Sequence, residues 1–153
     1  MMFNFKEDII KYLKEYFEDD DFFPELKIKS GNLYANKLNQ EQITIIGFDE
    51  NEDDRYTTFD NAEINNIAIQ INCYAQQKTL NNQKRSASDV CEFLAQLVTN
   101  AFDKNYLVLA NKNIKRARKV SQTPAMPVKE GSEYYVVVLR YEMLVNYDYE
   151  KGE

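Results

Sequence analysis

The side chains in this sequence that could support catalysis or metal binding are carboxylates, lysines, tyrosines and two cysteines, because the chain contains no histidine. Histidine is the residue most often used for general acid–base catalysis and for binding transition metals. The few glycines are scattered along the chain, so they form none of the usual phosphate-binding loops. We therefore expect no catalytic residues, no metal and no cofactor, and a protein that acts by binding rather than as an enzyme.

The densest group of carboxylates is an acidic run made of Asp49, Glu50, Glu52, Asp53 and Asp54. Several converging carboxylates can bind Ca²⁺, but this run lacks the central glycine and the terminal glutamate of an EF-hand loop. The pattern favours the solvated tip of a hairpin. A metal site and a charged surface for a partner are the alternatives.

Arg140 and Glu142 are the charged residues of an otherwise mainly apolar segment, and their spacing puts them on one face of a strand. Acid–base hydrolysis would require one carboxyl group with a raised pKa, which usually takes an apolar pocket or a close like charge. An ion pair, within the chain or between subunits, is the better interpretation.

One basic segment contains Lys112, Lys115, Arg116, Arg118 and Lys119. On a strand, Arg116 and Arg118 would point to one side while Lys115 and Lys119 point to the other. Binding of single-stranded nucleic acid usually requires basic and aromatic residues on one surface, so the split favours an edge strand kept soluble by charge. Contact with nucleic acid remains an alternative.

Eleven tyrosines occur, and several follow one another in the last apolar segment. Tyrosine is common both in packed sheets and at interfaces, because its ring is apolar and its hydroxyl can stay hydrated. The pattern leaves both roles open. The candidate residues for contact with a subunit or partner are Arg116, Arg118, Arg140, Glu142, Tyr141 and Tyr147.

The length of 153 residues is typical of a single domain, and we expect residues 1–153 to form one. No apolar run approaches the roughly 20 residues that cross a bilayer, and the first residues do not have the pattern of a secretory signal, so we expect a cytoplasmic protein. Cys73 and Cys91 lie in a predicted strand and a predicted helix, and we expect both to be reduced.

Charge is unevenly distributed, with 8 basic and 16 acidic residues in 1–80 but 11 basic and 9 acidic residues in 81–153. Such an acidic chain should not bind nucleic acid over its whole surface, since contacts of lysine and arginine with phosphate dominate that affinity. The asymmetry favours self-association between unlike faces.

Hydrophobic periodicity predicts the elements. Apolar residues at helical spacing predict a first helix that ends near Glu18 and a second helix over 89–102. Strands are predicted over 42–48, 66–74 and 133–147, with weaker ones at 26–28 and 113–121. The order predicts an α+β fold, with a mostly antiparallel four- or five-stranded sheet and two main helices packed on one face.

This layout resembles the tail terminator, or tail-completion, proteins of long-tailed bacteriophages and prophages, some of which are called minor capsid proteins. The resemblance rests on the amphipathic first helix, the hairpin 42–74, the helix 89–102, Pro124 and the closing strand that ends at Tyr147. It covers most of the chain as a pattern of elements, without a diagnostic motif.

The resemblance implies a hexameric ring that caps the tail tube and joins it to the head connector while DNA passes through as cargo. It implies assembly in the bacterial cytoplasm and a place in the neck of the virion, with no catalytic residues. Another head–tail connector or a tail-tube component is an alternative reading. A small enzyme or nucleic-acid-binding module with an unrecognised site is an alternative of a different class.

Overall fold

The computed structural model describes residues 5–31, 42–52, 62–105 and 114–148 of the chain. Within them lie two helices and eight strands. In chain order these are α1 (Phe5–Tyr16), β1 (Lys27–Ser30), β2 (Gln42–Glu52), β3 (Ala62–Ala75), β4 (Lys78–Leu80), β5 (Gln83–Arg85), α2 (Ala87–Asn105), β6 (Ile114–Gln122), β7 (Met126–Pro127) and β8 (Tyr135–Asp148).

A mixed six-stranded sheet is the centre of the molecule, with strand order β1-β2-β3-β8-β6 and the short β7 paired to β8. The longest ladder joins β3 to β8, in antiparallel register from Ala62 opposite Asp148 to Ala75 opposite Tyr135. Strands β4 and β5 form a separate hairpin. The α+β class with two helices is therefore confirmed, while the sheet has more strands than the predicted four or five.

Strand β1 makes the sheet mixed, because it runs parallel to β2 with Ile28 opposite Ile43. The other pairs in the sheet are antiparallel. A parallel pair needs a crossover connection, because a tight turn can join only antiparallel strands. Only four residues of β1 take part, so its sequence pattern is too short to indicate a direction.

Local side chains satisfy backbone groups at the start of α2 and in the loop after α1. The hydroxyl oxygen of Ser86 accepts a hydrogen bond from the Asp89 backbone N–H at 3.2 Å, which caps the start of α2. After α1, a carboxylate oxygen of Asp20 accepts hydrogen bonds from the backbone N–H groups of Phe22 and Phe23 at 2.8 and 3.0 Å. No helix in the described part of the chain is long and apolar enough to cross a membrane.

The hydrophobic core lies between the helices and one face of the sheet. The helices contribute buried side chains at helical spacing, including Ile9 and Leu13 from α1 and Leu94 and Val98 from α2. Alternate residues of the central strands meet them: Ile69, Ile71 and Cys73 from β3, and Val137, Leu139, Tyr141 and Met143 from β8. Both helices thus pack on the same face, as predicted.

Two local features differ from the sequence prediction. Strand β2 continues through Glu52 instead of ending at Phe48, and its register with β3 shifts between Gly47 and Glu50 before pairing resumes. The polar segment before α2 contains the β4–β5 hairpin, whose turn residues Asn81 and Asn82 have φ of 52° and 65°. Positive φ at both positions is typical of a tight hairpin turn, and asparagine tolerates it.

Candidate functional site

The face of the sheet opposite the helices carries polar side chains at its centre. The Gln70 amide nitrogen donates to the Asn72 side-chain oxygen at 2.9 Å, and the Asn72 amide nitrogen donates to the Thr44 hydroxyl at 3.2 Å. Thr44, Asn72 and Tyr74 are buried. Burial raises the pKa of Tyr74, while Thr44 and Asn72 partly offset the rise by hydrogen bonding.

The charged part of this face lies on β6 and β8. Arg118 is opposite Glu142 in the strand register, and a guanidinium nitrogen of Arg118 lies 2.5 Å from a carboxylate oxygen of Glu142. The two side chains are 60% and 41% exposed, so the pair is a surface ion pair across neighbouring strands. Glu142 therefore pairs with Arg118 from the next strand, whereas the sequence suggested Arg140 as its partner within the chain.

The basic segment is divided between the two sides of β6, as the sequence predicts. The amino group of Lys119 donates to the Gln122 side-chain oxygen at 2.8 Å and to the hydroxyl of Thr99 on α2 at 3.4 Å. Lys119 thus faces the helix layer, while Arg118 lies on the opposite side with Glu142. Arg118 and Lys119 therefore place their charges on opposite faces of the sheet.

A rigid segment between β6 and β8 presents an apolar side chain to solvent. Met126 is 44% exposed and is paired with Val136, so it lies on the side of the sheet away from the helices. The backbone on both sides is held: Thr123 N–H donates to the Val138 carbonyl and Val128 N–H donates to the Tyr134 carbonyl, each at 3.0 Å. Because prolines 124 and 127 flank Met126, its backbone has little freedom.

On the helix side of the sheet, an open pocket of about 430 Å³ lies between the β4–β5 hairpin and the start of α2. The rings of Phe22 and Phe93 meet edge to face in its wall, with centroids 5.2 Å apart. Leu80 adds an aliphatic surface, and Arg85 and Asp89 carry opposite charges beside it. Half of the lining is polar, since Asn81 lies beside Arg85 and Asp89, and the volume is within the range of ligand-binding pockets.

Tyr141 does not lie at the predicted interface. It is 1% exposed, and its ring packs against Phe102 with centroids 4.9 Å apart in the core. Burial raises the pKa of Tyr141 to about 12, although the nearby Thr99 hydroxyl opposes the rise. Tyr141 lies on the same face of β8 as the buried Val137 and Leu139, because alternate residues of a strand point to the same face. The unusual feature of Tyr141 is therefore a polar hydroxyl group inside the core.

The remaining predicted site residues are described only in part. Arg116 is opposite Leu144 and Tyr147 is opposite Glu63 in the backbone register. Asp49, Glu50 and Glu52 lie on strand β2 rather than in a loop, whereas Asp53 and Asp54 lie outside the described residues. Arg140 is exposed on β8, next to the Arg118–Glu142 pair.

The two cysteines are free and buried, as expected. The thiol of Cys91 donates to the Cys73 carbonyl at 3.0 Å, which links α2 to β3. Burial raises the pKa of Cys91 to about 12 and that of Cys73 well above its ordinary value. Both thiols therefore stay protonated at neutral pH.

Within the described ranges, no three acidic or cysteine side chains come together in a way that could hold a metal ion. No protein-family model matches the chain, and no curated protein matches it.

The sequence reasoning did not identify the exposed Met126 or the pocket with Phe22 and Phe93. A signal for the first was available, because Thr-Pro-Ala-Met-Pro holds one large apolar residue between two prolines in a loop. The pocket has no local signal, since its residues come from the loop after α1, the hairpin and α2.

Proposed function

We propose that the protein is a structural component of a long-tailed phage or prophage, in which copies form a ring that ends the tail tube and joins it to the head connector. The observation that supports the assembly role is that both helices pack on the same face of the sheet. The opposite side of the sheet combines exposed Arg118 and Met126 with half-buried Val136 and Val138. Apolar side chains bordered by charged groups match the apolar centre and polar rim of a subunit interface.

The tail-terminator role itself is supported by the order of elements, with an amphipathic α1, the β2–β3 hairpin, α2 and the long β8. The hairpin adds a second property, because residues 49–63 contain seven acidic side chains and one basic one. If this part of the hairpin lines the pore, its charge repels the DNA backbone and keeps passing DNA mobile.

The role is tested by mixing the purified protein with tail tubes assembled from the tube protein of the same phage and imaging them by negative-stain electron microscopy. We expect rings at one end of the tubes and no further growth there. Filaments of the protein alone would indicate a tube component, and binding to the portal side of heads would indicate a connector. Tight DNA binding at physiological salt would instead support a nucleic-acid-binding module.

The contribution of the Arg118–Glu142 surface is tested by a pair of matched variants. Arg118→Glu alone leaves two carboxylates facing each other, while Arg118→Glu with Glu142→Arg restores an ion pair inside the subunit but reverses its direction. If this surface meets another subunit, both variants should cap fewer tubes, and the double variant should keep the wild-type melting temperature. Normal capping by both variants would remove this surface from the interface.

A further inference from the structure

Two features of this chain are complementary in chemistry and lie on opposite faces of the sheet. The exposed Met126 projects from a fixed backbone on the side of the sheet away from the helices. The pocket beside Phe22 and Phe93 opens at the start of α2, in the helix layer. We propose that Met126 of one copy inserts into the pocket of a second copy, and that this contact joins the subunits of the ring.

The pocket is suited to a methionine. Thioethers contact aromatic rings favourably, often at the ring edge, and the flexible methionine side chain adapts to irregular apolar cavities. The Phe22 ring is fixed by the Asp20 carboxylate, which accepts hydrogen bonds from the backbone at Phe22 and Phe23, and by its edge-to-face contact with Phe93. A pocket wall that is already ordered loses little conformational entropy on binding.

The backbone around Met126 is also ordered before binding. The strand pair with Val136 and the hydrogen bonds of Thr123 and Val128 hold the segment against β8. An exposed apolar residue on an ordered backbone has less entropy to lose than one on a free loop. Burying it in a partner removes apolar surface from water.

Charges around the two features favour a second copy as the occupant. Lys129 and Glu130 are exposed and follow Met126 by three and four residues. Arg85 and Asp89 line the pocket, and among the described residues neither forms a salt bridge. Lys129 facing Asp89 and Glu130 facing Arg85 would make two opposite-charge pairs around the inserted methionine, an arrangement typical of a polar rim.

The contact is head to tail, because the two complementary surfaces belong to different parts of one chain. Such contacts close into a ring when the rotation between subunits divides a full turn and otherwise produce open filaments. The inference rests on the proposed ring, and it names the surfaces that join its subunits.

Association is measured first by light scattering with size-exclusion chromatography over a range of protein concentrations. Met126→Glu should weaken self-association by at least about tenfold, since it places a charge against the apolar wall. Val120→Glu is the matched control, because Val120 is also a large exposed apolar residue, 51% exposed on β6. Equal effects of the two variants, or none from Met126→Glu, would overturn the proposal.

The charge pairs are tested by reversal. Arg85→Glu and Glu130→Arg should each weaken association, and combining them should restore it, because the pair re-forms between copies with reversed charges. Arg85 and Glu130 are both exposed, so these changes should leave the melting temperature of the subunit near the wild-type value. Strictly additive losses in the combined variant would contradict a direct pair.

The geometry is tested by mixing two single-cysteine variants, Lys129→Cys and Asp89→Cys, under oxidising conditions. A cross-linked dimer should form in the mixture and not in either variant alone, while the two buried native cysteines stay unreacted. Absence of the mixed dimer at high concentration would reject the contact. If the Met126→Glu variant still caps tubes, the proposed contact is wrong and the proposed function stands. If the mixed dimer forms but the protein does not cap tubes, the contact stands and the proposed function is wrong.

Discussion

At the scale of single residues, the most unusual group is the hydroxyl of Tyr141. Among the described residues, it is the buried side-chain oxygen that lacks a hydrogen bond of standard geometry. The Thr99 hydroxyl lies near it. A buried polar group without a partner loses its hydration and gains nothing in return, which costs about 1–3 kcal/mol. The ring itself contributes to the core through Phe102.

Tyr141→Phe should therefore leave the free energy of unfolding unchanged or raise it by up to about 1 kcal/mol, because the ring stays and the unpaired hydroxyl is removed. Urea denaturation at pH 7 measures the change. Tyr12→Phe is the matched control, since the Tyr12 hydroxyl donates to the Ala101 carbonyl at 2.6 Å and its removal should cost about 1 kcal/mol. A clear loss from Tyr141→Phe would show that this hydroxyl is bonded in solution.

The raised pKa values of Tyr141 and Cys91 predict that the folded chain loses stability at alkaline pH. Burial raises the pKa of Tyr141 from 10.0 and that of Cys91 from 9.0, each to about 12, so the unfolded chain releases these protons at lower pH than the folded chain. Unfolding is therefore favoured progressively from about pH 9 to 12, while stability below that window is unaffected by these groups.

Urea midpoints measured from pH 8 to 11 should fall steadily above pH 9. Tyr141→Phe should reduce the slope above pH 10, because phenylalanine has no proton to lose. A flat profile for the wild type, or the same slope in both proteins, would contradict the assignment.

At the scale of elements, α2 has both the best local signals and the clearest start. Its first turn is capped by Ser86, whose hydroxyl accepts from Asp89 N–H and whose carbonyl accepts from Val90 N–H. The cap follows the polar β4–β5 hairpin directly, so it also fixes the position of Arg85 and Asp89 beside the pocket.

Ser86→Ala should lower the free energy of unfolding by about 1 kcal/mol, since it removes the acceptor for the Asp89 N–H. Glu92→Ala is the control on the same helix, because Glu92 is exposed, alanine is favourable in a helix and the change should be small. Thermal melts and urea denaturation of the two variants provide the comparison. Equal losses from the two substitutions would show that Ser86 does not act as the cap.

At the scale of the whole molecule, a single cluster of buried residues joins both helices to the sheet. Leu94 of α2 is 0% exposed and lies in this cluster with Ile9 of α1 and Ile71 of β3. Removing its side chain leaves a cavity that close-packed neighbours fill only in part.

Leu94→Ala should lower the free energy of unfolding by about 2–5 kcal/mol. Because one core connects the elements, the loss of helix signal in circular dichroism and of tyrosine fluorescence should coincide in a single transition. Leu97→Ala is the control on the same helix, at a partly buried position, and should cost less. Separate transitions for the two signals would indicate that the helices and the sheet unfold independently.

The sequence by itself determined the elements whose apolar residues repeat over several turns or pleats. Helical spacing identified α1 and α2, and alternation identified β3 and β8 together with their inward residues Ile71 and Leu139. These patterns suffice because helix and strand periods differ and each element must bury one face. The candidate Arg118 was placed on its correct side of β6 for the same reason.

Only the tertiary structure decided which surfaces meet. The parallel pairing of β1, the partner of Glu142, and the pocket that brings Phe22 to Phe93 all join residues distant in sequence. Local periodicity carries no information about such neighbours, because they are chosen by packing and strand order rather than by the residues on either side. The fold therefore buried Tyr141 and left Met126 exposed, although both are large and mainly apolar.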